Sequence, residues 1–416
     1  MTTKDAIYNK WLIMSHSVFV DFTNENTIFL YNTKNGEYLI SHDCKLISLI
    51  KLLYQPKNLG VVDASFLYNN LSEDVSYAMD KRLIYLIDAT DKGKPVNYLP
   101  ILNLQMDLDR YDENGVEGRL KIIGSKSKFI SGVYVSLSHA RCDNNIELCH
   151  YRNIAAKQHP CPKYDNTDTK LLHTSYVKRL LDSLTLTSTT KVDFVCTSLY
   201  FECFDYIDFL GLLSEYNFLY CFHVYSEDIN WFMGNSMSFF SKIKLEFIVY
   251  NDLFSSCNSR TADSLFPYKI KSAYLVYGEN DLQMDCDYML PVWTGNNIKF
   301  FSNYVWTSQS DIDDTVVSWN SIFRNQKLNS NFFGLVDVSP SGKVFPHGGK
   351  HAIGNIYDSD FCLVDIAAKE LKENHTWRLT RNMTTCRQCP FRFICPPVSI
   401  YEIQAENTKM CNINIK

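Results

Sequence analysis

The chain has 416 residues, 41 Lys and Arg against 46 Asp and Glu, a formal net charge of −5, and 46% hydrophobic residues including 26 Tyr and 26 Phe. That length suits two or three domains with sizeable cores. The mildly acidic balance excludes a non-specific grip on nucleic acid, which needs a basic surface. The first residues, Met1-Thr-Thr-Lys-Asp5, carry no charged-then-apolar leader. The most apolar long stretch, Leu199 to Tyr225, is interrupted by Glu202, Asp205, Asp208 and Glu215, so no membrane span is expected. Cys44, Cys196, Cys203, Cys221 and Cys257 are scattered without a disulfide framework, which points to a reducing cytoplasm.

In chain order, residues 17–41 predict a three-stranded meander. Val18–Phe22 and Thr27–Tyr31 flank a turn at Asn24–Asn26, and Asn35-Gly36 is a hairpin signal before Glu37–Ser41, because both residues tolerate positive φ. Helical spacing follows in Cys44–Tyr54, Val61–Leu71 and Val75–Ile87, the last capped by Ser72. Three strands and three helices make a winged-helix-like module over residues 1–95. Glu73 and Asp74 open its last helix where a DNA reader prefers Lys or Arg, so DNA is not the expected partner.

Between residues 96 and 330 strands and helices alternate. Val133–Leu137, Val192–Cys196, Phe218–Phe222, Leu245–Val249, Ala273–Val276 and Asn297–Phe301 read as strands, and Leu171–Leu184 as an amphipathic helix. Such alternation implies βα units on a parallel sheet, here an α/β partial (β/α)6 barrel with its mouth at the strand C-terminal ends. No Gly-rich phosphate loop follows any strand, which leaves a nucleotide site without support. From Gly334 a hairpin turns at Ser341-Gly342, and a helix from Phe361 to Lys372 leads into the last segment.

That segment is Cys386-Arg-Gln-Cys389-Pro-Phe-Arg-Phe-Ile-Cys395, with Cys411 closing it. A Cys-x2-Cys pair aims two thiolates at one centre from a tight turn, and Cys395 and Cys411 complete a four-sulfur shell. The shell suits one [4Fe–4S] cluster or one Zn2+, and the competing reading is four buried thiols.

Residues 331–416, with this cysteine pattern, Gly342-Lys-Val-Phe-Pro346 and Ile353-Gly-Asn-Ile356, resemble a SPASM domain, the cluster-binding extension of radical S-adenosylmethionine enzymes that modify ribosomal peptides. The middle resembles the radical SAM barrel, and the N-terminal module resembles the peptide-recognition element of such maturases. The resemblance implies Cys-x3-Cys-x2-Cys after the first barrel strand, but Asn145, Cys149 and Arg152 stand there, and the Gly-Gly-Glu-Pro-like turn is replaced by Cys196–Glu202. An amide and a guanidinium cannot replace thiolates. Cys142 and Cys161 lie nearby at wide, irregular spacing. No S-adenosylmethionine cluster, and no radical SAM activity, is therefore expected.

The resemblance also implies two auxiliary clusters. Gly342-x4 ends on His347, no cysteine precedes it at suitable spacing, and Ser399 holds another ligand position. All three losses fall on the first auxiliary cluster, whereas Cys386, Cys389, Cys395 and Cys411 complete the second. The combination is similar to pseudo-radical-SAM proteins of Bacteroidetes-type maturation systems with double-glycine leader peptides. It implies an accessory protein that binds a precursor peptide and serves a partner radical SAM enzyme, without nucleic acid or membrane. Tyr38, Ile40, Arg82, Leu83 and Leu86 are the expected leader contacts, by strand addition to Glu37–Ser41 and packing on the last helix; Leu83 and Leu86 read equally well as module core. A competing expectation keeps a different peptide-modifying activity in the barrel pocket near Tyr134, His150, Tyr151, Arg152 and Glu202. Those residues form no recognisable nucleophile–base pair.

Overall fold

A computed structural model describes residues 9–90, 93–97, 99, 129–141, 145–165, 170–236, 242–255, 269–407 and 409–413. Met1–Asp5, Cys142 and Cys257 lie outside the described residues.

The N-terminal region holds two three-stranded sheets. Strands β1 (Lys10–Met14), β5 (Val61–Asp63) and β6 (Ile84–Asp88) form one, in the order β5-β1-β6. The meander expected from the turn signals forms the other: β2 (Val18–Asn24), β3 (Thr27–Asn32) and β4 (Tyr38–Ser41). Two expectations are corrected here. Val61–Leu71 starts as β5 and becomes helical only from Ala64 to Asn70. The helix expected over Val75–Ile87 runs from Glu73 to Asp80 and stops, because Arg82 takes φ 54° and Leu83 N–H returns to the Ala78 carbonyl. Beyond the cap, Ile84-Tyr-Leu-Ile-Asp88 is β-branched and aromatic enough to pair along β1.

Every residue of β3 is buried, and its two faces serve two cores. Ile28 and Leu30 pack with the helix Cys44–Leu53, while Phe29 and Tyr31 pack with Phe391, Phe393, Ile394 and Cys395 of the C-terminal segment. Arg392 adds an ion pair to Asp21 at 2.7 Å.

The main body is a mixed α/β structure around a nine-stranded, mostly parallel sheet. Strands β7 (Gly132–Ser136), β8 (Lys191–Val195), β9 (Leu219–Tyr225), β10 (Lys244–Asn251), β11 (Lys269–Val276) and β12 (Tyr288–Pro291) lie side by side in sequence order, all parallel. That is the order a run of βα units gives. The sheet then continues past β7 through β13 (Leu335–Val338), β14 (Lys343–Pro346) and β15 (Gly354–Asn355), so the C-terminal hairpin is built onto the same sheet. Its turn needs Gly342, at φ 76°, where a Cβ would strike the Tyr357 ring. The expected strand Asn297–Phe301 is a helix, Ile298–Tyr304, and β12 takes its place at the sheet edge. Phe300 and Phe301 are both buried, which neighbouring strand positions cannot achieve on one face, and Asn297 bonds the carbonyls of Tyr277 and Val292.

One face of the sheet is apolar: Val133, Val135, Val192, Phe194, Tyr220, Phe222, Leu245 and Phe247 pack under the helices Thr174–Leu184 and Tyr206–Leu213. The alternate positions carry polar side chains, and the candidate sites sit on that side.

Candidate functional site

At the barrel mouth, the stretch matching the radical SAM cysteine motif is the helix Ile146–Ala155, with Asn145 as its N-cap accepting from Leu148 N–H at 3.0 Å. Residues 145, 149 and 152 share one face of that helix. Cys149 is buried and held in a disulfide, which withholds its sulfur from a metal. Arg152 is only 2% exposed. Its Nε and Nη2 reach the two Asp252 oxygens at 2.7 and 3.2 Å, Nη2 also reaches Glu227 at 2.8 Å, and Nη1 donates to the Tyr164 hydroxyl at 2.6 Å. The guanidinium lies 3.8 Å from the Tyr225 ring centre. Burial opposes its charge, but the bonds to Asp252 and the neighbouring negative groups hold its pKa above the usual arginine range. Asp252 and Glu227 follow β10 and β9, so a fixed cation occupies the ground where those strand ends meet.

The other residues expected there stay apart. Tyr151 packs against Phe254 and Tyr277, His150 meets it edge-on at 5.8 Å, and Glu202 is exposed at the end of a 3-10 turn. Cys161 is buried, its thiol pushed up to about 12 by desolvation.

On the polar side of the sheet the structure assembles a ladder from residues distant in sequence. His223 Nε2 lies 2.8 Å from Asp193 Oδ1, its Nδ1 lies 2.9 Å from the Tyr250 hydroxyl, and Lys191 Nζ donates to the same Asp193 oxygen at 2.6 Å. Tyr134 leads from this group to His347, whose ring stacks on it at 4.9 Å and whose Nδ1 sits 2.8 Å from Asp337 Oδ1. Although burial opposes protonation, the Asp337 charge raises the His347 pKa above the ordinary imidazole value. Tyr134, Asp337 and His347 line a cavity of about 490 Å³ shared with His159, Lys343 and Gln404. The readable signal was alternation: Lys191-Val-Asp193-Phe194 places Lys191 and Asp193 on one face and Val192 and Phe194 on the other.

In the tail, Cys386, Cys389 and Cys395 lie in and beside short 3-10 turns. Cys389 N–H returns to the Cys386 carbonyl at 2.8 Å, Cys395 N–H to Phe391 at 2.8 Å, and Cys411 is tied to Thr307 by a parallel bridge. Burial raises the Cys389 thiol, and the charges of Cys386 and Cys411 raise it further. Burial pushes Cys395 up to about 12 against the pull of Arg381, with Cys389, Cys411 and Cys386 adding to the rise. Arg381 donates to Cys386 Sγ at 3.7 Å and pairs with Glu402 at 2.9 Å. Among the described residues, the group of three potential ligands whose donor atoms lie within 4.8 Å of one another is Asp193, Cys221 and His223, not the tail. A zinc shell with bonds of about 2.3 Å holds its sulfurs about 3.8 Å apart, so the quartet is more open than zinc requires.

Of the expected leader contacts, Tyr38 and Ile40 lie on β4, the outer strand of the meander. The Tyr38 hydroxyl donates to Asp313 at 2.9 Å and its ring meets Phe391 edge-on. Leu83 is 0% exposed in the module core, Leu86 packs against that core from β6, and Arg82 is exposed at the helix end. Beside β4 runs the helix Glu73–Asp80, tied to it by Lys81–Glu37 at 2.9 Å and by Ser41 to Asp74. Exposed Tyr77 on that helix and Leu71 just before it edge an open depression of about 500 Å³.

No protein-family pattern matches the sequence, and no curated protein does. Among solved structures, SuiB of Streptococcus suis is 11% identical, with a match covering 97% of this chain and 99% of that one at a TM-score of 0.38. BtrN in complex with AdoMet and 2-DOIA is 16% identical over 64% of this chain and 93% of its own, with a TM-score of 0.33. Scores below 0.5 assign neither family nor activity. No described helix is long and apolar enough to cross a membrane.

Proposed function

We propose that this chain is a radical-SAM-like accessory protein that binds a ribosomal precursor peptide and serves a partner radical SAM enzyme without splitting S-adenosylmethionine itself. The observation that carries the reading is Arg152. A guanidinium anchored to Asp252, Glu227 and Tyr164 stands where the motif calls for a thiolate, and Cys149 is committed to a disulfide. Rebuilding a three-thiolate site there means evicting a buried, fully bonded cation.

Cys386, Cys389, Cys395 and Cys411 suit one [4Fe–4S] cluster by donor type, with Arg381 beside them to offset negative charge. Bound there, such a cluster supplies a structural tie or an electron-transfer centre. Zn2+ is the second occupant the donor set allows. The leader is taken along β4, whose outer edge has no strand partner among the described residues, with apolar side chains resting against Leu71 and Tyr77. Tyr38 and Ile40 contribute from the strand, while Leu83 and Leu86 support it from the core. The cytoplasm is the proposed compartment, and the Cys149 disulfide departs from the disulfide-free cysteine pattern that pointed to it.

A second reading, an enzyme using the sheet pocket for another peptide modification, draws on the His347–Asp337 pair beside Tyr134 in its cavity. Anaerobic reconstitution with iron and sulfide, followed by an assay for 5′-deoxyadenosine, tests the main reading. Iron retained by the tail without 5′-deoxyadenosine is expected; formation of that product overturns it. Titration of a labelled double-glycine leader against the full chain is expected to give micromolar binding that Tyr38→Ala weakens.

A further inference from the structure

The polar ladder holds a set of donors that none of these functions uses. Asp193 and Cys221 face each other directly across β8 and β9, and His223 lies two residues further along β9, on the same side of the sheet. Asp193 is 6% exposed, Cys221 0% and His223 2%. One oxygen, one sulfur and one ring nitrogen all fall within 4.8 Å of one another. The far nitrogen of His223 is already engaged by the Tyr250 hydroxyl at 2.9 Å, which fixes the ring with Nε2 turned toward Asp193. A histidine oriented through its second nitrogen is the usual support of a metal ligand.

A cation stands among these donors already. Lys191 Nζ sits 2.6 Å from Asp193 Oδ1 and interacts with Cys221 as well. Its side chain is 36% exposed, so its head can leave toward solvent, and Glu246, paired in register with Cys221 on β10, offers it another carboxylate. The donors are therefore arranged around a positive charge that arrives on a removable arm.

We propose that Asp193, Cys221 and His223 form a site for one divalent first-row metal ion, Zn2+ by preference, in competition with the Lys191 ammonium. Mixed nitrogen, oxygen and sulfur donors suit borderline ions of this kind. Binding forms three bonds to the ion, breaks the His223–Asp193 hydrogen bond with the ring proton moved to Nδ1, where the Tyr250 oxygen accepts it, releases the Cys221 thiol proton to solvent and turns the Lys191 ammonium away. The site stands apart from the tail quartet and does not depend on the proposed peptide role.

The test is Co2+ titration of the full reduced chain under anaerobic conditions, following thiolate-to-cobalt charge-transfer absorption. In a Cys389→Ser background, which disables the tail quartet, a band that Cys221→Ser removes supports the site; equal bands with and without Cys221→Ser overturn it. Lys191→Gln, at a half-exposed position, gives an independent arm. Removal of the competing ammonium is expected to lower the Co2+ Kd about tenfold, and an unchanged or higher Kd overturns the competition. Tyr250→Phe is expected to raise Kd about tenfold, the scale of a lost outer-shell partner; no change shows that Tyr250 does not orient the ligand and counts against the site.

Discussion

The barrel mouth and the cysteine tail answer the same problem, charge held away from water, by opposite means. At the mouth the cation is part of the chain: Arg152 is paired with Asp252 and Glu227. In the tail, burial raises the Cys389 and Cys395 thiols. A covalently supplied cation needs no cofactor to complete it, whereas buried thiols become stable as thiolates only around a metal. The mouth is finished and the tail is receptive.

The sharpest way to break that contrast is to exchange losses. Arg152→Ala strands the Asp252 carboxylate, and breaking a buried pair in this way costs about 3–5 kcal/mol; urea unfolding reads it. Iron bound per folded molecule is expected to stay unchanged. Cys389→Ser is expected to do the reverse, reducing bound iron to background with little effect on the urea midpoint of the unreconstituted chain. If Arg152→Ala unfolds at the wild-type midpoint, the mouth is not held together by its cation.

A smaller effect tests the joint between the tail and the N-terminal sheet. Asp21→Asn leaves Arg392 without its carboxylate, at a cost of about 2 kcal/mol by the scale of a lost charged hydrogen bond. Faster proteolytic release of the N-terminal region is the expected sign. Ser399→Ala is smaller still. Ser399 caps the helix Ile400–Gln404 in a capping box with Glu402, and a lost cap costs about 1 kcal/mol, read as a lowered thermal midpoint.

The smallest effects are in pH dependence, and they have opposite signs. His159, bonded to the Pro291 carbonyl, has its pKa lowered to about 4 by burial. Its contribution is full above its unfolded pKa of about 6.5 and is lost as pH falls toward 4. The ring is only half-buried by exposed area, which limits the size of the loss. His347, raised by Asp337, contributes fully below about 6.5 and loses its contribution as pH rises through its folded value. Urea midpoints across pH are expected to flatten on the acid side in His159→Gln and on the alkaline side in His347→Gln.

How far the sequence could be read followed how local the deciding physics was. The parallel strands were legible because apolar stretches such as Val192–Cys196 and Leu245–Val249 are short, bounded and β-rich. β5 and β6 were not, since Val61–Asp63 and Ile84–Asp88 are strands only because β1 lies between them. Phe300 and Phe301 misled because adjacent aromatics suit a strand by propensity and a helix by burial, and burial decided. The cysteine spacing marked the quartet, yet the ladder through Asp193, His223 and Tyr250 draws on three strands far apart in sequence. Ser399 looked like a missing ligand; it is a helix cap, with its partner Glu402 bound to Arg381.

One consequence lies in how β3 is shared. Phe29 and Tyr31 rest on the same ring contacts that enclose Cys395 and adjoin Cys389, and Tyr38 touches Phe391 from the outer strand. Under the proposed function, any tightening of the sulfur pocket around an occupant therefore presses on the underside of the strand that would take the leader. Grip on the peptide and filling of the tail would then form a single mechanical variable, felt through a patch of aromatic rings.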